Sequence, residues 1–396
     1  MDIEHNSREK FYRFPFGAVT CGGEVRLRLA VSGAGIPSAV RLVYMEDGKG
    51  EVRKDMPYIF DVGDHCIYSV NVKMPEKAGL VWYYFELETE RGMVYYGNNS
   101  KQLGGIGEMC FNSPSNSYQI TVYNEDYKTP DWFKTGIAYQ IFVDRFCNGN
   151  ENGEFLGNRT DIIKRNWGEQ PFYKAEQFGG EYKANDFFGG NLKGVIKKLP
   201  YLKDLGISVI YLNPIFKAYS NHKYDTGDYE TIDPMFGDEE TFKELCSKAK
   251  EMGIRIILDG VFNHTGSNSR YFNKYGEYDS VGAYQSKESP YYTWFRFMDW
   301  PDVYESWWGM TTLPQIEEHS EECRKYLLSD KDAIVKRWIK NGASGWRLDV
   351  VDELPGFFVK ELRENVKKAD KDAVIIGEVW EDASNKSAYG ERREYF

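Results

Sequence analysis

Histidine and cysteine are both scarce, with five His and six Cys among 396 residues. Cys21, Cys66, Cys110, Cys147, Cys246 and Cys323 form no CxxC pair, so neither a zinc site nor a thiol redox motif is signalled. No apolar run is long enough to span a bilayer. The opening "MDIEHNSREK" has no signal-peptide core. These absences predict a cytoplasmic protein with free thiols. Basic residues are outnumbered as well: 50 Lys and Arg face 61 Asp and Glu, a net charge of −11. That balance excludes nucleic acid and anionic membrane as partners, since both call for basic patches. There is no candidate Ser–His–Asp arrangement and no phosphate-cradling glycine loop, and no organic cofactor is expected.

What is present is length and aromatic rings. A chain of this size predicts two or three domains. Aromatics reach 16 %, with 29 Tyr, 24 Phe and 10 Trp. They suit either a β-rich chain or a ligand with flat apolar faces, such as a sugar ring. Residues 1–127 alternate apolar and polar in short runs, among them "EVRLRLAV", "AVRLVYM" and "LVWYYFELE". Turns separate them, as in an antiparallel β-sandwich. "NEDYKTPDWFKTG" reads as a linker.

Over residues 128–396 the pattern changes. The strand-like runs "IAYQIFVDRF", "ISVIYLNPIF", "IRIILDGVFNH", "SGWRLDVV" and "AVIIGEVW" alternate with helical segments such as "LKGVIKKLPYLKDLG", "DEETFKELCSKAKEMG" and "DAIVKRWIKNG", each closed by Gly. Such β-α alternation predicts a parallel sheet. The regular spacing predicts an α/β fold of the (β/α)8 TIM-barrel type, of which five strands are counted here. Chemistry in such barrels lies at the C-terminal ends of the strands. A polar, aromatic insertion at 265–312, containing "YYTWFRFMDWPDVYESWWG", is expected to shape that rim or to pack as a subdomain.

Polar residues gather at the strand ends: His222, Tyr224 and Asp225 after the second, Asp259, Asn263 and His264 at the third, Arg347 and Asp349 at the fourth, Glu378 and Trp380 at the fifth. Arg347 and Asp349 are two apart in a strand and share a face. Either they form a structural ion pair or Arg347 keeps Asp349 ionised for chemistry. Glu378 has Val379 and Trp380 as chain neighbours, which predicts a raised pKa and a general acid. Carboxylates on adjacent strands, about 5 Å apart, match the roughly 5–5.5 Å spacing of retaining glycosidases.

The motifs "HKYDTGDYETIDPMFG" (222–237), "DGVFNH" (259–264), "GWRLDVVDE" (345–353) and "GEVWED" (377–382), with the opening "YRFPFGAV" (12–19), resemble the α-amylase superfamily. Within it the likeness is to the neopullulanase, cyclomaltodextrinase and amylopullulanase-like branch. "TTLPQIE" (311–317) departs from the Met-Pro-Lys-Leu stretch of the neopullulanases at Leu313 and Gln315, and leans toward the amylopullulanases. The resemblance implies retaining hydrolysis of α-glucans such as maltooligosaccharides, pullulan, cyclodextrins or starch. Asp349 is then the nucleophile and Glu378 the acid/base. Tyr224, Asp225, Asn263, His264 and Arg347 bind the sugar, with Tyr224 stacking on it, while Glu353 and Trp380 shape the acceptor side. Asp259 supports the site.

The same resemblance implies a starch-binding-like N-terminal domain, a homodimer, and a structural Ca2+ held by Asn148, Asn150, Gly189 and Asn191 with Glu154. A plain Asn/Gly-rich turn is the alternative there. The family's later motif with a third catalytic Asp does not occur before Phe396. A fragment of a longer enzyme, weakly active by itself, is therefore expected. The competing reading is an impaired α-glucan-binding protein.

Overall fold

The computed structural model describes residues 1–114, 116–180, 183–380, 383, 387–388 and 391–392. The chain divides into two compact units, one of residues Met1–Lys128 and one of Thr129–Arg393.

The first unit is built of β-strands. One sheet contains Asp2–Glu4, Arg13–Phe14, Glu24–Ser32, Tyr58–Val62 and His65–Lys73; a second has Gly79–Thr89 at its centre, between Ala39–Glu46, Gly92–Gly97 and Tyr118–Tyr123. Pairing is antiparallel except between Tyr118–Tyr123 and Val19–Thr20. Alternation explains the layers. Val25, Leu27 and Leu29 are buried, while Arg26 and Arg28 between them are not. Their partners in one apolar core come from both sheets, including Leu42, Tyr83, Phe85 and Ile120.

The second unit carries five parallel strands paired in chain order. These are β1 (Ala138–Ile141), followed by α1 (Leu192–Asp204), β2 (Val209–Leu212), α2 (Glu239–Glu251), β3 (Arg255–Gly260), α3 (Ile334–Lys340), β4 (Gly345–Leu348), α4 (Gly356–Ala369) and β5 (Val374–Gly377). Helix starts follow the capping rules. Asn191 accepts the N–H of Gly194 at α1, and Asp238 accepts that of Thr241 at α2. Acidic Glu239 and Glu240 open α2 and Lys248 and Lys250 close it, as the helix dipole favours. Trp338 of α3 and Trp346 of β4 are fully buried, and each indole N–H reaches a backbone carbonyl, of Tyr229 and Val335 respectively.

Among the described residues, the 265–312 insertion is mostly loop with short strands Phe297–Asp299 and Val303–Tyr304. Its rings pack on one another: Tyr271 stacks on Trp294 at 4.9 Å, and Phe272 meets Phe295 and Tyr304 at 5.0 and 4.7 Å. No helix of the described residues is long and apolar enough to cross a membrane.

Candidate active site

The strand register builds the site. Asp259 of β3 lies opposite Arg347 of β4, and Leu348 lies opposite Gly377 of β5. Asp349 and Glu378 therefore follow the last paired residues of neighbouring strands. Backbone bonds continue just past them, from Asp349 N–H to Gly260 and from Glu378 N–H to Leu348.

One guanidinium joins three carboxylates. Arg347 Nη1 donates to both oxygens of Asp259 (2.9 and 3.0 Å) and to Asp349 Oδ1 (2.9 Å), and Nη2 lies 2.7 Å from Glu378 Oε2. Tyr211 of β2 and Tyr224 donate phenol hydroxyls to Asp259 Oδ2, Tyr224 at 3.1 Å. Val350, between the two strand ends, sits at φ 39°, a left-handed backbone rare for a β-branched residue. Its N–H donates to Glu378 Oε2 at 3.0 Å.

Two electrostatic expectations are corrected. Arg347 does not hold Asp349 low. Burial, and then the neighbouring Asp259 and Glu378 carboxylates, push Asp349 up to about 7 against the pull of Arg347. One cation divided among three acids cannot offset that desolvation. Asp259 is pushed to about 6, again chiefly by burial. Glu378 does not sit in an apolar niche, because its carboxylate meets the Arg347 guanidinium and the Val350 N–H.

The remaining predicted residues divide. Tyr224 is tied to Asp259 and accepts the Asn213 amide at 3.2 Å. His264 is buried and bonds the Tyr224 carbonyl through Nε2 at 3.1 Å, while its Nδ1 is buried without a hydrogen-bond partner. Burial lowers its pKa to about 4, so it is neutral. The Asn263 amide donates to the Asp349 carbonyl at 3.5 Å, and its own Oδ1 is likewise buried without a hydrogen-bond partner. Asp225 is not brought to the cluster: its carboxylate accepts the N–H groups of Tyr219 and Ser220 and the Ser220 hydroxyl. Glu353 accepts both indole N–H groups of Trp307 (2.5 Å) and Trp308 (2.7 Å), and Trp308 meets Trp380 edge to face at 5.6 Å. Glu381 and Asp382, which end the "GEVWED" motif, lie outside the described residues.

Sequence reasoning did not single out Tyr211, Trp307 and Trp308. "SWWG" within the aromatic insertion is the signal that could have found the last two. Nor did it foresee that Lys223, between His222 and Tyr224, is wholly buried and paired with Asp233 at 2.7 Å, which anchors this loop.

The residues suggested for calcium satisfy one another. Asn148 Oδ1 accepts the Asn150 N–H (2.8 Å) and the Asn191 amide (3.2 Å), and Asn191 Oδ1 accepts the N–H groups of Gly149 and Gly194. The Asn150 amide donates to the Glu154 carbonyl. Calcium favours carboxylate oxygens, and of the suggested residues Glu154 alone carries one. As described, Asn148, Asn150 and Asn191 form a hydrogen-bonded turn.

The family model for the alpha amylase catalytic domain matches residues 140–395. An amylopullulanase of Thermoanaerobacterium saccharolyticum is 39 % identical over 413 residues, covering 97 % of this chain and 32 % of that protein. A cyclomaltodextrinase of Thermoanaerobacter pseudethanolicus is 41 % identical over 266 residues, covering 64 % of this chain and 41 % of its own length. The chain thus spans less than half the length of these curated relatives. The solved type III pullulan hydrolase of Thermococcus kodakarensis is similar with a TM-score of 0.58 and 29 % identity, over 96 % of this chain and 62 % of that one. With register, charge cluster and family match in accord, this chain belongs to the alpha amylase catalytic-domain family.

Proposed function

We propose that the chain carries the machinery for retaining hydrolysis of α-glucosidic bonds, on substrates of the maltooligosaccharide, pullulan, cyclodextrin or starch class. The observation that supports this most is the grouping of Asp349, Glu378 and Asp259 on one Arg347 at the ends of three adjacent parallel strands. In this reading the five strands are an arc of a (β/α)8 barrel, whose chemistry lies at this face.

Asp349 is the nucleophile. Arg347 takes its Oδ1 and leaves Oδ2 for the anomeric carbon. As the carbon–oxygen bond to the leaving sugar breaks, Glu378 gives its proton to the departing oxygen. In the second half, Glu378 takes a proton from water, the water oxygen bonds to the anomeric carbon, and the Asp349 ester is released. Asp259 shares Arg347 and the two tyrosines and serves to position them. The buried, unpartnered His264 Nδ1 and Asn263 Oδ1 are groups a sugar hydroxyl can satisfy.

A fluorinated maltosyl fluoride, which forms the glycosyl ester but loses it slowly, tests the reading. Mass spectrometry should find one adduct, on the peptide holding Asp349, and none in Asp349→Asn. Glu378→Gln should lose maltotriose hydrolysis by on the order of 10²–10⁴-fold, the usual worth of acid–base catalysis. It should still release fluoride from maltosyl fluoride in the first half-reaction, whose leaving group needs no proton, and then hold the Asp349 ester, because nothing takes the proton from water. Labelling elsewhere, or an unlabelled chain, would sink the assignment.

A further inference from the structure

A cavity of about 420 Å3 lies within the second unit. Its walls are residues 157–161 of the loop after β1, the hairpin of Phe216–Ala218 and Thr226–Ile232, and Asn268, Glu277 and Tyr278 of the insertion. That volume falls in the roughly 300–1,000 Å3 range of small-molecule sites. Asp349, Glu378, Arg347, Tyr224 and His264 do not line it, so it is separate from the charge cluster.

Some of its polar groups are already taken. Asp161 accepts two hydrogen bonds from Arg159, at 2.9 and 2.6 Å, and Arg159 Nη1 donates to the Tyr219 carbonyl. Asp233 is held by the Lys223 ammonium and by the N–H groups of Ala218 and Met235. Each of those acids is matched by one cation. Lys217, Tyr278, Asn268 and Glu277 differ. Among the described residues, no side-chain polar atom of these four has a hydrogen-bond or ion-pair partner. The Lys217 ammonium lies over the Tyr278 ring at 4.3 Å. The Tyr278 hydroxyl comes so near the chain that a Cβ added at Gly227 would stand 2.8 Å from it. Four such groups around one cavity are groups a ligand can satisfy.

Their charges decide which ligand. Lys217 and Glu277 supply one of each sign. Phosphate would gain Lys217 and be repelled by Glu277, and a cation would meet the reverse. A neutral polyol suits both, since a hydroxyl donates to a carboxylate and accepts from an ammonium, a phenol or an amide. The rest of the wall includes the Tyr219 ring, Pro234 and the buried Met235, which offer apolar surface. A ligand rich in hydroxyls with an apolar C–H face is a pyranose.

We propose that this cavity is a second binding site, for a small neutral sugar of one or two rings, held by Lys217, Glu277, Tyr278 and Asn268. It lies beyond the catalytic reading and does not rest on it.

Maltose is the probe. Hydrogen exchange of the full chain in maltose should show added protection over residues 217–219 and 277–278, apart from any change near Asp349. Lys217→Met and Glu277→Gln should each raise the maltose concentration that gives half of this protection about tenfold, as loss of one charged hydrogen bond implies. Labelling of Asp349 by the fluorinated maltosyl fluoride should stay within about twofold. Asn158→Trp, a change at an exposed position on the wall, should block the cavity with the same result. If Lys217→Met loses labelling as well, the hairpin is damaged and Asn158→Trp decides. Inorganic phosphate should leave the protection unchanged. No added protection at these residues, or protection that survives both Lys217→Met and Asn158→Trp, would overturn the site. Displacement of maltose by phosphate would overturn its assignment to a neutral sugar. Failure to label Asp349 while maltose still protects the cavity would remove the catalytic roles alone.

Discussion

At the scale of single residues, Arg347 organises the site because its guanidinium contacts three buried or half-buried acids. Replacing it by Met leaves those acids without their cation, and breaking a buried ion pair from one side costs about 3–5 kcal/mol. Urea unfolding of Arg347→Met should show a loss of that order. Arg347→Lys should recover little of it, since a single ammonium cannot reproduce the fork that reaches Asp259, Asp349 and Glu378 together. Recovery by Lys would mean that charge alone, not geometry, is needed. The pairing of Arg347 with Asp349 was legible in the two-residue spacing. The upward direction of the Asp349 shift was not. It depends on burial and on Asp259, 90 positions earlier, which only the β3–β4 register brings alongside.

At the scale of elements, the five parallel strands were legible because each is an apolar run bounded by polar, chemistry-bearing residues. The strands Val52–Asp55 and Tyr58–Val62 were not, since they lie largely exposed and leave no alternation to read. The rest of the site depends on how loops meet helices. The first turn of α1 packs directly on the loop after β1. A Cβ added at Gly194 would stand 1.8 Å from the Cys147 carbonyl oxygen, and one at Gly149 would stand 2.3 Å from the Gly194 nitrogen. Both obstacles are backbone, which cannot rotate away. Gly194→Ala, a favourable change in an open helix, should therefore lower stability by about 1–3 kcal/mol, the usual cost of overpacking. Thermal unfolding followed by tryptophan fluorescence reads this well, because nine of the ten Trp lie after residue 128. A raised midpoint would show that the loop yields.

At the scale of the whole molecule, the two units should answer acid differently. In the first, His5 is wholly buried among Tyr12, Tyr83, Phe85 and Tyr118, bonded to the Arg28 carbonyl and the Tyr83 hydroxyl. Burial above all, helped by the Arg13 charge, lowers its pKa to about 3. Between about pH 3 and 6.5 the unfolded chain binds a proton there that the folded unit refuses. Stability is thus full above pH 6.5 and falls as the pH drops through that window, by roughly 2 kcal/mol at pH 5. In the second unit two buried histidines, His222 and His264, act in the same sense. They are opposed by Asp259, Asp349 and Glu318, which burial raises to about 6, 7 and 7, and by Asp144, raised for the same reason. Those carboxyls bind protons in the folded state before the unfolded one does, so their contribution grows as the pH falls from 7 towards 4. The signs cancel in the second unit and not in the first. Hydrogen exchange at pH 7 and pH 5, corrected for intrinsic rates, should show protection lost in Glu24–Ser32 and Gly79–Thr89 while β2 to β4 keep theirs. His5→Gln should remove the difference. An equal loss across both units would show that the acid response is not set by these buried groups.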